Sequence, residues 1–388
     1  MIVGISNDKY PEKRTIIVNN NVEYVNFKTN NFYYYINLLN MKVLHKRKNF
    51  IFKPLRTTGK DRVDIFHLFN EVALTSRKWI ATFETELPRI LPQKSGNKSD
   101  NFPELDRLAP ALVANNCLAL IALSGAAYQM EKRLFERLPE VGEAIMGKTV
   151  VMHPPQALHV THREKRLAQN PLHFVFIGNE FYRKGGGEVV RAFSELVEER
   201  LLQPEQVRVT LIGDLEKRVN YAHGQHQDDP FFSKETEKLI SQHSLFEHQG
   251  FMPNDQVLSL LQRADVGLLP TWAETYGFSV LEMQSCGCPV ITSNVRALPE
   301  INPVTAGWQV INPLDEDLDY RVTSVQVRDA LRQRIITQLK TTILSIVQDP
   351  EQIGVKAAAA IERIKTEHDI SAYQQKLQAL YARQGASL

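Results

Sequence analysis

The stretch Ala264-Asp265-Val266-Gly267-Leu268-Leu269-Pro270-Thr271-Trp272-Ala273-Glu274-Thr275-Tyr276-Gly277-Phe278-Ser279-Val280-Leu281-Glu282, continuing to Cys286-Gly287-Cys288-Pro289-Val290-Ile291-Thr292, decides the fold. Its first six residues are short and almost continuously apolar, as a strand buried on both faces of a parallel sheet must be, and Pro270 stops it. Phe278 to Ser285 then reads as a helix that Gly287 ends, and Pro289-Val290-Ile291 opens a second buried strand. Strand, turn, helix and strand in that order are the repeating unit of an α/β sheet covered on both faces.

Two glutamates, Glu274 and Glu282, bracket the Thr275-Tyr276-Gly277-Phe278 turn with seven residues between them. Gly277 lets the backbone come close to a ligand. A helix starting there aims the N–H groups around Gly277, Phe278, Ser279 and Val280, and a partial positive charge, at whatever lies in front of it, ideally a phosphate. Glu282, one turn in, can accept hydrogen bonds from both hydroxyls of a ribose, and Glu274 can hold hydroxyls of a sugar beyond the phosphates. The pattern addresses both ends of a sugar nucleotide. The bare spacing is common, and an ordinary strand and helix with surface glutamates satisfies it as well.

In this context the chain resembles retaining glycosyltransferases of family 4. Their signature is this Glu-x7-Glu followed by a small-Gly-x-Pro-Val-Ile segment, here Cys286-Gly287-Cys288-Pro289-Val290-Ile291. Gln249-Gly250-Phe251-Met252-Pro253 is similar to the family's Gly-Phe/Tyr-Val-Pro turn, ahead of a helix over 255–263. The resemblance implies the GT-B architecture, in which two Rossmann-like doubly wound domains face each other across a cleft. It implies transfer of a hexose-type sugar from a nucleotide-sugar donor to a saccharide or lipid-linked saccharide, with retention, in cell-surface polysaccharide or glycoconjugate synthesis. The donor is a co-substrate, and no cofactor is expected. Donor-binding positions carried over are Gly178, Arg183, Lys184, Phe251, Glu274, Tyr276, Gly277, Phe278, Ser279, Val280 and Glu282, with Glu274, Lys184 and Arg183 catalytic.

Length and composition agree with a two-domain enzyme. At 388 residues the chain exceeds one ordinary core. A formal net charge of +2 gives no reason to expect nucleic acid as a partner. Three cysteines, Cys117, Cys286 and Cys288, make no disulfide framework, and Cys286-x-Cys288 is too short for a thioredoxin-like or zinc site. A reducing, cytoplasmic compartment is expected, since neither a spanning apolar run nor a signal peptide is legible. Any membrane contact is then peripheral, at the inner face.

Strands are expected over 63–68, 79–83, 118–123 and 149–152 in the first half, with helices over 105–115 and 127–138. The second half repeats the theme with strands over 173–177, 207–212, 266–269 and 290–292 and a helix over 188–201. Two α/β domains over 1–165 and 166–365 follow, and a terminal helix over 366–388 presents Ile370, Tyr373, Leu377, Leu380 and Tyr381 on one face. That helix crosses back to the first domain in the resembled family; packing on its own domain fits the sequence equally.

A second constellation opens the second half: Phe174-Val175-Phe176-Ile177-Gly178, then Arg183-Lys184-Gly185-Gly186-Gly187 before a helix. Cations at a helix N-terminus face the positive end of the macrodipole, so something negative must compensate them. A diphosphate fits, with Lys184 as point charge and Arg183 as forked donor. In the family a Gly-Arg pair and a later Lys-Gly pair hold the diphosphate. Lys184-Gly185 matches the second, whereas Asn179 replaces the arginine and Arg183 substitutes from a neighbouring position. A solvated basic turn is the plain alternative. If these cations neutralise the diphosphate no metal is required, and no Asp-x-Asp stands where it would chelate one. His223-x-x-His226 reads as loop, not as a ligand pair.

On the acceptor side His67 ends an expected strand and is an acceptor-hydroxyl contact or a satisfied structural histidine. Asn70 follows within reach, and Glu84 stands where many family members carry a histidine. The opening of the chain offers Gly4 and a Lys-Tyr-Pro-Glu-Lys turn in place of the family's strand and glycine-rich loop. Between Lys42 and Arg62 eight Lys or Arg face one Asp, around Phe50-Ile51-Phe52. This stretch reads either as a contact with an anionic membrane face or as a solvated basic edge. Other functional readings are a catalytically silent sugar-nucleotide-binding protein, or an epimerase or phosphorylase on the same fold.

Overall fold

The computed structural model describes residues 1–55, 63–89, 102–161 and 171–383. They divide into two compact units, one made of Met1–Pro155 with His368–Leu388 and the other of Gln156–Glu367. The expected boundary at residue 165 lies outside the described residues.

The first unit is built on strands β1 (Ile2–Ile5), β2 (Glu23–Asn26), β4 (Ile65–Phe69), β6 (Trp79–Phe83), β7 (Cys117–Ala122) and β8 (Thr149–Val151). They form one sheet in the order β2-β1-β4-β6-β7-β8, with every pairing parallel. A two-stranded parallel ribbon, β3 (Ile51–Phe52) with β5 (Val72–Ala73), lies outside it. Contrary to the reading of the N-terminus, the unit does open with a strand. All four residues of β1 pair with β2, and Val3 and Gly4 also pair with β4; the Lys-Tyr-Pro-Glu-Lys turn is the start of helix α1 (Tyr10–Thr15), with its proline in the first turn where it costs no hydrogen bond. Helices α2 (Phe32–Lys42), α3 (Phe102–Val113), α4 (Gly125–Leu134) and α5 (Pro139–Met146) complete the N-terminal part. The core is aromatic and aliphatic, with Phe52, Phe66, Trp79, Phe83, Leu105 and Leu120 fully buried. Gly4 is needed there, because a Cβ at that position would lie 2.5 Å from the Phe66 ring.

The second unit has strands β9 (Leu172–Glu180), β10 (Val207–Asp214), β11 (Phe246–Gln249), β12 (Val266–Leu269), β13 (Val290–Ser293) and β14 (Trp308–Val310). The sheet order β11-β10-β9-β12-β13-β14, all parallel, is the 3-2-1-4-5-6 order of a doubly wound nucleotide-binding fold. Helices α6 (Gly186–Glu198), α7 (Pro230–Gln242), α8 (Asn254–Leu261), α9 (Phe278–Ser285), α10 (Leu298–Ile301), α11 (Val325–Gln348) and α12 (Glu351–Glu367) cover it. α6 packs with α7 and α11, and α9 packs with α8 and α12. Gly267 on β12 has no Cβ where the Met283 sulfur of α9 lies, at 2.4 Å from that ideal position, which lets the helix settle on the strand. The chain order reverses between β9 and β12. Open α/β sheets bind their ligands outside the carboxyl ends of the strands at such a point.

The last helix, α13 (Ile370–Tyr381), belongs to the first unit. Asp369 caps it, and its buried face is made of Tyr373, Leu377, Leu380 and Tyr381. The Tyr373 hydroxyl donates to the Thr15 carbonyl at 2.7 Å, which ties this face to the end of α1.

Candidate functional site

At the switch point of the second sheet the chain leaves β9 through Phe181-Tyr182-Arg183-Lys184 and enters α6 at Gly185, whose φ is +88°. Only glycine fits there without strain, and a Cβ would lie 2.2 Å from the Pro270 carbonyl oxygen. The loop after β9 is thereby pressed against the end of β12. Gly178 serves a different purpose. A Cβ on it would stand 2.5 and 2.7 Å from Cβ and Cγ of Lys184, so its bare backbone is the bed on which the lysine stem lies.

Lys184 reaches Glu274, pairing Nζ with Oε2, and both side chains are largely buried, at 16% and 13% exposure. The second Glu274 oxygen accepts from the Thr275 N–H at 3.1 Å. Two residues from separate βα loops, 90 positions apart in sequence, thus meet at the carboxyl ends of β9 and β12. Arg183 points elsewhere. Its Nε donates to Glu180 Oε2 at 3.0 Å and its Nη1 to the Ala273 carbonyl at 2.6 Å, and the guanidinium lies 5.0 Å over the Tyr221 ring. Burial works against its charge, but the Glu180 hydrogen bond and the nearby Tyr221, Glu180 and Glu274 outweigh it and raise the pKa. Glu180 is held below the usual carboxylate range, chiefly by its hydrogen bond from Arg183. The anions that offset the basic turn are therefore carboxylates of the chain itself, Glu274 for Lys184 and Glu180 for Arg183. Arg183 braces the loop that carries Glu274, and its own backbone carbonyl accepts from the Trp272 N–H at 2.9 Å.

Helix α9 begins at Gly277, with φ +102°. Packing alone requires a glycine here, since a Cβ would lie 2.7 Å from Leu298 Cδ2 and 3.0 Å from Ile301 Cδ1 of α10. Phe278, Ser279 and Glu282 are part-exposed on one face of the helix start, as a ligand-facing terminus requires. Val280 and Tyr276 are buried, the latter with its ring 5.2 Å from that of Phe278, and both support the turn from within. Phe251 stands 81% exposed on the loop after β11, two strands from β9.

Among the acceptor-side residues, His67 is a correction. It lies in the middle of β4, not at its end, and is fully buried. Nδ1 is 2.7 Å from the Tyr381 hydroxyl and Nε2 is 2.7 Å from Thr82 Oγ1. Burial pushes its pKa down to about 3, so it is a neutral clasp between the sheet and α13. Asn70 and Glu84 do come together, just past the ends of β4 and β6: the Glu84 N–H donates to Asn70 Oδ1 at 3.1 Å and Asn70 Nδ2 to Glu84 Oε1 at 3.3 Å. Asn70 adopts φ +56°, which asparagine tolerates better than most residues.

Sequence reasoning missed Glu180, Tyr221 and the Ala273 carbonyl. Tyr221 is 61% exposed beside Arg183, in a loop whose polar composition carried no signal. Its neighbour His223 is buried edge-on against Trp272, at 4.4 Å between ring centres, with its pKa lowered to about 4 by burial. Among the described residues no group of three His, Cys, Asp or Glu is placed to hold a metal. An open cavity of about 680 Å³ lined by Leu314, Arg321, Leu331 and Arg334 contains none of the predicted site residues.

A 3-2-1-4-5-6 parallel sheet with a lysine, a carboxylate and a helix start at its switch point defines a nucleotide-binding type of α/β protein. Residues 160–342 match the sequence family described as Glycosyl transferases group 1. Glycogen synthase of Mycobacterium tuberculosis is 23% identical over 228 residues, covering 59% of this chain and 46% of the relative. D-inositol 3-phosphate glycosyltransferase of Corynebacterium diphtheriae is 25% identical over 170 residues, covering 39% and 34%. The chain spans about half the length or less of these curated relatives. Among solved structures, HepE of Anabaena, crystallised with UDP, aligns with TM-score 0.57 at 14% identity over 97% of this chain and 98% of that one. A glycosyltransferase of Rickettsia africae aligns with TM-score 0.56 at 16% identity over 98% and 89%. These likenesses identify the fold as that of GT-B proteins.

Proposed function

We propose that this protein is a glycosyltransferase that moves a hexose-type sugar from a nucleotide-sugar donor to a hydroxyl of a saccharide or lipid-linked saccharide, with retention. The observation that carries the reading is the meeting of Lys184 and Glu274 beside the start of α9, at the switch point of a sheet within the family-matched segment. During transfer the bond from anomeric carbon to diphosphate breaks and negative charge grows on the departing phosphate. Lys184 and the helix start stand where such charge is stabilised by fixed dipoles and cations. Glu274, turned from Lys184 to the donor sugar, would hold its hydroxyls. Glu282, on the part-exposed face of α9 with Phe278 and Ser279, would accept from the ribose hydroxyls. The leaving phosphate can itself help to deprotonate the acceptor on the same face, so Glu274 is given no base role. The Anabaena structures with UDP and with UDP-glucose support a nucleotide sugar as donor.

A second reading, a silent sugar-nucleotide-binding protein, draws on one observation: Arg183 is committed to Glu180 and Ala273, and Asn179 stands where the family places an arginine. Release of nucleoside diphosphate from UDP-, GDP- and ADP-sugars, with water or saccharides as acceptors, separates the two. Turnover abolished by Lys184→Ala and by Glu274→Ala supports the enzyme. Binding without turnover across the whole panel supports the silent protein.

A further inference from the structure

Helix α2 is built with its polarity reversed. Its sequence is Phe32-Tyr33-Tyr34-Tyr35-Ile36-Asn37-Leu38-Leu39-Asn40-Met41-Lys42, and its one buried side chain is Asn37. The Asn37 amide clasps the backbone of Asn49, donating to its carbonyl at 3.0 Å and accepting from its N–H at 2.7 Å. Phe32, Tyr35, Leu38, Leu39 and Met41 are exposed, as are Val43 and Leu44 just beyond the helix. A surface helix of a water-soluble domain turns such residues inward and its asparagines out. At about 100° per residue, Phe32, Tyr35, Leu38, Leu39, Lys42 and Val43 share one face.

The charge carried by this segment has one sign. From residue 24 to residue 60 the sequence holds eight Lys or Arg and no Asp or Glu. Lys42, Lys46 and Arg47 are exposed at the end of the helix and in the turn that follows. Lys53 Nζ lies 5.8 Å from the Phe32 ring centre, and Lys28 Nζ 5.8 Å from that of Tyr34. Cations thus alternate with aromatic and aliphatic side chains.

We propose that this face docks the protein onto an anionic lipid bilayer, with Tyr35, Leu38, Leu39 and Val43 entering the headgroup region and Lys42, Lys46 and Arg47 meeting lipid phosphates. Apolar burial and electrostatic attraction together are what hold such helices in the interface plane. Charge complementarity selects the occupant, because a second copy would set two predominantly basic faces against each other. The proposal rests on the first unit alone and stands apart from the reading of the Lys184 site. No helix among the described residues is long and apolar enough to cross a membrane, so the contact is one of surface insertion.

Sedimentation of the full chain with vesicles tests it, comparing phosphatidylcholine alone with an equal mixture of phosphatidylcholine and phosphatidylglycerol. Binding to the mixed vesicles and not to the neutral ones is expected. Lys46→Gln with Arg47→Gln should weaken it about 25-fold, since each juxtamembrane charge contributes about fivefold. Tyr35→Ser with Leu39→Ser should weaken it at least about tenfold at unchanged charge. In Leu39→Trp, tryptophan emission should shift to the blue on mixed vesicles, a readout independent of the weakened variants. Absence of binding to mixed vesicles would overturn the proposal. So would apolar variants that bind like the parent protein, or a dimer in sedimentation velocity that Leu39→Ser dissociates without any vesicle binding.

Discussion

Replacing Glu274 by glutamine should tighten binding of a diphosphate while slowing sugar transfer. The Lys184–Glu274 pair is largely buried, so each charge neutralises the other and a phosphate must displace the carboxylate to reach Nζ. Two unit charges about 4 Å apart attract by about 4 kcal/mol at an effective dielectric constant near 20. Both groups keep some solvent contact and regain hydration when parted, which leaves a net cost of about 2 kcal/mol for opening the pair. Glu274→Gln removes that cost, so pyrophosphate and the matching nucleoside diphosphate should bind about 30-fold more tightly. Lys184→Gln should weaken both by a similar factor. Titration calorimetry with pyrophosphate, UDP, GDP and ADP reads both variants, and pyrophosphate makes the test independent of the base. Unchanged or weaker diphosphate binding in Glu274→Gln would refute the idea that this carboxylate competes with phosphate for Lys184.

Further outcomes follow from the same geometry. Gly185→Ala should lower stability by about 2 to 4 kcal/mol, through its positive φ and the clash with the Pro270 carbonyl, seen as a lower urea midpoint. Gly178→Ala should displace the Lys184 stem and weaken diphosphate binding in calorimetry more than it lowers the melting temperature. Arg183→Met should cost about 1 kcal/mol by removing hydrogen bonds to the Ala273 carbonyl, which keeps Thr271 Oγ1, and to the part-exposed Glu180, with the loss appearing in thermal unfolding. His67 has a folded pKa of about 3, below its ordinary 6.5, so its contribution is intact above pH 6.5 and is lost as pH falls towards 3. Between pH 7 and pH 5 this amounts to about 2 kcal/mol, and denaturant titrations of His67→Gln should show a correspondingly shallower pH slope. His223, lowered to about 4 by burial, acts in the same sense.

Where local periodicity and packing agree, the fold is legible in the sequence. The helix read over Phe278 to Ser285 and the strand read over 79–83 have the observed bounds, because buried parallel strands are apolar throughout and Gly277 and Gly287 punctuate the helix. β1, β2, β11 and β14 leave no such signal. β2 and β11 are short edge strands of mixed polarity, Glu23-Tyr24-Val25-Asn26 and Phe246-Glu247-His248-Gln249, and β1 has only four residues, one of them Gly4. In the site, the sequence places Glu274, Gly277 and Lys184 on loops that follow strands, and such loops gather at the switch point. It does not show that Arg183 turns back to Glu180, because a cation's partner is set by tertiary geometry that residue type does not encode. Nor does it show that His67 faces inward. A histidine among Ile65, Phe66, Leu68 and Phe69 is compatible with either end of a hydrogen bond, and its partner Tyr381 lies more than 300 residues away.

Because α13 follows the second unit along the chain, the first unit is assembled from segments on either side of it, with the whole second unit inserted between them. A nascent chain can finish folding the insert while the earlier sheet still waits for Tyr373 and Tyr381 to leave the ribosome. Loss of α13 would therefore injure the portion translated earlier, leaving the Thr15 carbonyl and His67 Nδ1 without their α13 partners, and would spare the second unit.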